Sequence, residues 1–197
     1  MKSATPHEIL HTGCGILDLV MKPHGFSFVA GMAGRGSGGN FASGVYVCGE
    51  RRLELHFRGS LGLVTYHWGD ASVSHQFYMQ MLLGKIGGNQ YPGFSTDPLD
   101  GFRHLAYDLQ RFADDFLKGD GEVLRRAAAK EQDERLLQDR ISMAKAVGDT
   151  RKRTAVRALF RGQRFREVVE ILESLQYPDL MTESERKILE ISRRRTR

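Results

Sequence analysis

Between Phe26 and Gly69 lie four strand-like runs, "FSFVAGM", "FASGVYVCG", "RRLELHFRG" and "LGLVTYHWG", separated by glycine-containing links. None of those links reaches the dozen residues that a parallel crossover needs, so successive strands must reverse direction. The expected core of the fold is an antiparallel meander of about four strands. In the third run Leu53, Leu55 and Phe57 alternate with Arg52, Glu54, His56 and Arg58. Alternation with period two gives that strand one apolar and one polar face.

Helical patterns flank the meander. Residues 5–21 read as a helix with Thr5 as N-cap, Pro6 at the first helical position and Glu8 closing a capping box. Ile9, Gly13, Ile16, Leu17 and Val20 make its apolar stripe. A second helix is expected over 73–84 with Ser72 or Ser74 as cap, then a loop over 87–97. Thr96 or Asp97 caps a third helix, whose stripe is Leu99, Phe102, Ala106, Leu109, Ala113 and Phe116. Beyond Gly119-Asp120-Gly121 the pattern is helical throughout, roughly 122–147, 150–161, 164–176 and 183–193, with a second capping box at Thr182 and Glu185. The expected fold class is α+β, a meander sheet with helices on one face followed by an all-helical region. The division is expected near 118–121, giving an α+β domain over 1–118 and a helical region over 119–197.

Charge supports that division. Residues 1–118 hold ten basic and ten acidic residues, whereas 119–197 hold nineteen basic and fourteen acidic, so the net charge of +5 lies in the second part. Hydrophobic residues are 41% of the chain, yet no apolar run is long enough to span a bilayer, and "MKSATPHEILH" lacks an apolar h-region with a small-residue cleavage site, so export is not expected. A cytoplasmic protein without a membrane partner is expected. Cys14 and Cys48 are too few for a disulfide framework and read as small buried hydrophobes.

Four patterns carry possible chemistry. Gly34-Arg35-Gly36-Ser37-Gly38-Gly39 satisfies the spacing of a dinucleotide fingerprint, but a strand rather than a helix follows it. Without a helix N-terminus there is no dipole to hold a pyrophosphate. No Lys-Ser/Thr pair follows the glycines, as a P-loop requires. The stretch is expected to be a long flexible hairpin loop that offers Arg35 to a partner, and no cofactor is expected.

His7-Glu8-Ile9-Leu10-His11 has the spacing of a zinc-peptidase helix, with both histidines on one face. Glu8 is already engaged in the capping box, so a solvated helix face is the expectation and His7 and His11 stand as weak metal candidates. Arg52, Glu54, His56 and Arg58 share a strand face, with Thr65 and His67 on the next strand and Asp70 and His75 following. The set lacks a nucleophile with a matching base and reads as a charged network or a partner-binding surface. From Lys145 to Arg166 eight basic residues face one acid, and Arg153, Arg157 and Arg161 recur every fourth position, with Arg164 close behind. Arg193, Arg194, Arg195 and Arg197 add to this charge. Such stripes suit an acidic protein or phosphates.

Residues 155–191 resemble a single tetratricopeptide repeat followed by one more helix. Ala155, Leu159, Gly162, Phe165, Val168, Leu172 and Leu175 fall where that repeat packs its two helices, and Pro178 closes the second. No Trp stands near the start, and Val168 replaces a small Ala. The resemblance implies a helical hairpin and, by analogy, protein binding. The order of elements in 1–118 is loosely similar to uncharacterised bacterial domains found among immunity-type proteins. The expected function is therefore a non-enzymatic protein-binding module, an immunity, adaptor or regulatory component of a bacterial-type cytoplasmic system, whose partner has an acidic surface. The alternatives are a nucleic-acid-associated protein that uses the basic helices and a zinc hydrolase that uses the HEILH segment.

Overall fold

The computed structural model describes residues 4–93 and 95–196, so Phe94 of the expected 87–97 loop and Arg197 of the basic tail lie outside the described residues. The chain divides into two compact units, Met1–Glu131 and Gln132–Arg197.

The first unit is α+β. Helix α1 (Pro6–Met21) starts at Thr5, whose side chain accepts from Glu8 N–H while the Glu8 side chain accepts from Thr5 N–H, closing the capping box. Five strands follow in simple antiparallel order: β1 (Ser27–Gly36), β2 (Gly39–Cys48), β3 (Arg51–Arg58), β4 (Ser60–Trp68) and β5 (Ala71–Ser74). Three of the reversals carry Gly49, Gly59 and Gly69 at positive φ (59°, 74° and 57°), a conformation that glycine reaches without a Cβ clash. The fifth strand adds to the expected four. At four residues it is too short to show a period, and its pairing with Thr65–Trp68 defines it.

The glycine-rich stretch is strand rather than flexible loop. β1 and β2 pair out to Gly36 opposite Gly39, which leaves Ser37-Gly38 as the turn, with one bulge between Ala30 and Ala33. Main-chain hydrogen bonds build a ladder without side chains, so glycines weaken a strand without forbidding it.

Helices α2 (His75–Leu83), α3 (Asp100–Phe112), α4 (Asp114–Leu117) and the first turns of α5 (Glu122–Ala146) complete the unit. Ser74 caps α2 by accepting Phe77 N–H, and Gly84 ends it at φ 64°. The expected third helix breaks at Ala113 into α3 and α4. One core joins Leu53, Leu55, Phe57, Tyr46 and Tyr66 of the sheet to Leu10, Cys14 and Leu17 of α1 and to Phe102, Leu105 and Leu109 of α3. On α1 the fully buried set is Leu10, Gly13, Cys14, Leu17 and Met21, one position on from much of the expected stripe, and Ile9, Ile16 and Val20 lie at its margin. Two neighbours set this rotation: Tyr46 Oη donates to Cys14 O at 2.8 Å, and the Phe102 ring lies against Gly13. Burial pushes the Cys14 thiol up to about 12, whereas Cys48 is only partly buried. Leu124, Ala127 and Ala128 of α5 belong to this same core, so the compact unit extends past the expected boundary at 118–121.

The second unit contains the rest of α5 and helices α6 (Asp149–Arg161), α7 (Phe165–Glu173) and α8 (Glu183–Thr196). Val156, Val168, Leu172, Leu175 and Leu189 form its core, so α6 and α7 make the helical hairpin and α8 packs on it. Val156 is buried where Ala155 was expected, and Ala155 is exposed. Among the described residues no helix is long and apolar enough to cross a membrane.

Candidate functional site

The helices of the first unit cover one face of the sheet and leave the other open. Cross-strand register assigns the open face: Val47, Arg52 and His67 form one row, Val45, Glu54 and Thr65 the next, and Ser43 stands opposite His56. Arg52, His56 and Arg58 are exposed, and Glu54 and His67 are half-buried. The alternation read in β3 thus becomes a two-sided strand, with Leu53, Leu55 and Phe57 beneath.

Glu54 is the one carboxylate in these rows. It accepts from His56 Nε2 at 3.0 Å and from His67 Nε2 at 3.3 Å. Burial pushes its carboxyl up, but the hydrogen bonds and charge of His56, then of His67, outweigh burial and hold it below the ordinary glutamate range. A carboxyl lowered in this way contributes stability at pH values above its unfolded pKa and loses it as pH falls through the folded value. Carbon-detected NMR should therefore find Glu54 titrating below an unstructured glutamate. His56→Ala with His67→Ala should return it upward, and a midpoint that stays in place would refute the pairing.

The side chains of Arg52 and Arg58 have no hydrogen bond or ion pair among the described residues. The Arg58 guanidinium instead lies against the glycine turn of the β1–β2 hairpin. A Cβ built on Gly38 would stand 2.1 Å from Arg58 Nη1, and one on Gly36 would stand 3.2 Å from Nη2. Beside it a cleft of about 300 Å³ is lined by Phe41, His56, Arg58, Ser60 and Leu63. Val29 (52% exposed) continues the Val45 row, and Leu63 (72% exposed) shares the cleft with His56. The face therefore mixes uncompensated arginine with exposed apolar side chains.

Arg35 does not share this face. It sits in β1 opposite Asn40, two positions from Ala33, and Ala33 pairs with the core residue Ala42, so alternation turns Arg35 to the helix side of the ladder. His75 also leaves the group. It is 2% exposed beneath the sheet, with Nδ1 2.8 Å from Tyr66 Oη and Nε2 3.1 Å from Asp108 Oδ2. Asp108, 0% exposed, also accepts Gln90 N–H at 2.7 Å and Tyr91 N–H at 2.8 Å. A Tyr-His-Asp set could relay protons, but these three side chains are sealed from solvent and tie the 90–91 backbone to the core. Asp108 was detectable in sequence as a lone acid beside Leu105 and Leu109 on the apolar stripe of α3.

His7 and His11 are exposed on α1, Glu8 is held by Thr5, and no group of three His, Cys, Asp or Glu able to hold a metal occurs among the described residues. In the second unit the basic stripe divides. Arg153 grips Glu185 through Nε at 3.1 Å and Nη2 at 2.7 Å, and Glu185 also accepts Thr182 N–H at 2.7 Å in the capping box of α8. Arg164 pairs with Glu167. Arg157 and Arg161 remain exposed, without a partner among the described residues.

Fold and face together define an α+β protein with one open, basic and partly apolar sheet surface. No protein-family model, curated protein or solved structure matches the chain.

Proposed function

We propose that the chain is a non-enzymatic protein-binding module and that the open face of its sheet receives a protein with an acidic surface. The observation that carries this reading is the pair Arg52 and Arg58, without carboxylate partners among the described residues, beside exposed Val29 and Leu63. Charge on such a face steers and selects a partner, while apolar side chains supply the area buried on contact. Exposed aromatic rings, on which bases would stack, are sparse there, which favours protein over single-stranded nucleic acid.

The test is quantitative affinity purification with the full chain and with Arg52→Glu/Arg58→Glu, both folded by circular dichroism. A partner held by the wild type should be lost at least about tenfold in the variant, a difference near 1.4 kcal/mol. Equal capture by both proteins would overturn the reading. The second reading, nucleic-acid binding through Arg157 and Arg161, rests on those two unpaired cations at i and i+4 on α6. It predicts binding to duplex or single strands that weakens steeply with salt. No binding at low salt would end it.

A further inference from the structure

The two edges of the sheet differ in how they end. β5 is four residues long, and the Glu131 carboxylate accepts its Ser74 N–H at 2.9 Å and Ser74 Oγ–H at 2.6 Å. β1, at the other edge, runs for ten residues, none of them buried, and Arg35 is its one charged residue. It contains no proline. An edge of this kind presents unpaired main-chain N–H and C=O groups, and proteins ordinarily blunt it with charge, proline or a short strand. Its one irregularity is a bulge in β1 itself, where Gly31 and Met32 stand against the single residue Ser43, and Ser43 Oγ bonds both Met32 N–H and Met32 C=O at 3.1 Å. On either side of the bulge, alternate residues of 27–30 and 33–36 turn their main-chain N–H and C=O groups outward.

We propose that β1 pairs antiparallel with β1 of a second copy of the chain, about a two-fold axis at the middle of the strand, to join two five-stranded sheets into one of ten. Apolar placement selects this occupant. Val29 (52% exposed) and Met32 (72% exposed) lie near the strand centre, so a two-fold there gathers both from each copy and removes apolar area from water on both sides. Ala30, Gly31, Ala33 and Gly34 beside them let two backbones approach. Charge selects it as well. Arg35 lies toward one end of β1, so antiparallel pairing holds the two Arg35 side chains about 20 Å apart at ~3.3 Å per residue. That separation exceeds the screening length of about 8 Å. An acidic strand would meet only one cation along this edge, whereas self-pairing needs none. The pairing uses the strand edge and Met32 rather than Arg52 and Arg58, with Val29 common to both surfaces, and it would set two such faces side by side.

The test is sedimentation equilibrium of the full chain from micromolar to near-millimolar concentration. Wild type should form a dimer. Met32→Lys, at a position already exposed, puts two like charges beside the axis and should weaken the dimer by about fivefold or more. Met32→Glu should do the same, and an equimolar mixture of the two variants should recover the dimer. Circular dichroism of each variant alone confirms that it folds. A wild type that stays monomeric over the whole range, a Met32→Lys variant that dimerises as the wild type does, or a mixture that fails to recover the dimer would each overturn the proposal. A β1 edge protected only when a foreign protein is added would do so too.

Discussion

Asp108→Ala is expected to lower the stability of the first unit by about 3–5 kcal/mol, since it orphans several buried donors at about 1–3 kcal/mol each. Asp108 is fully buried and serves three donors: His75 Nε2, Gln90 N–H and Tyr91 N–H. Alanine would leave all of them without an acceptor in a site that water does not reach, and each orphaned group has its own desolvation cost. Of its two side-chain hydrogen bonds His75 would keep one, with Tyr66 Oη. Asp108→Asn retains one carbonyl acceptor of the same shape and should lose clearly less. Trp68, the single tryptophan, lies in β4 between the Arg51 and Arg125 guanidinium groups, each 5.5 Å from its ring, so its fluorescence follows this unit alone during urea unfolding. A loss under about 1 kcal/mol for Asp108→Ala would mean that the network is dispensable.

The second large effect is expected at Gly13. A Cβ built there would stand 2.5 Å from three atoms of the Phe102 ring, which is itself 0% exposed and pinned between α1 and the sheet. Two terms oppose each other in Gly13→Ala. Helix propensity favours alanine by about 1 kcal/mol. Forcing a methyl group into a closed core typically costs about 1–3 kcal/mol. The ring is fully buried and lies against Phe57, so it cannot swing out to solvent; the second term is expected to win, making Gly13→Ala destabilising and Gly13→Val worse by the two further methyl groups. The discriminating measurement is a double-mutant cycle. In the Gly13→Ala background Phe102→Leu should cost less than it does in the wild type, because the smaller side chain relieves the collision. If Gly13→Ala raises the urea midpoint, the helices can separate without penalty and the close approach has no energetic role.

Legibility in the sequence followed the range of the interaction responsible. The meander was legible because glycine turns and the Leu53-Leu55-Phe57 alternation act within a few residues of one another. Both capping boxes were legible for the same reason: Thr5 with Glu8, and Thr182 with Glu185, meet within one helical turn. The polar face of β3 was read residue for residue, since a strand's period decides it. The glycines around Arg35 have low strand propensity and point to a loop, whereas the ladder that β2 supplies to β1 is a pairing over distance. In sequence His75 stands close to His67, yet the two point to opposite sides of the sheet once β5 and α2 are in position. Arg153 and Arg161 look equivalent along α6, yet only Arg153 meets Glu185, which lies thirty-two residues away.

From its amino acids alone this chain determined the antiparallel order of its strands, the ends of most helices and the two-faced character of β3. These depend on neighbours a few positions apart, whose geometry the backbone dictates wherever the segment sits. The tertiary structure decided which side of the sheet the helices cover, and so which face is open. It decided that α1 turns toward Phe102 and Tyr46, that Asp108 is buried with His75, and that Arg52 and Arg58 stand without carboxylates while Arg153 does not. Each of these outcomes is a choice among distant side chains competing for the same volume or the same charge, and only the closed chain brings those competitors together.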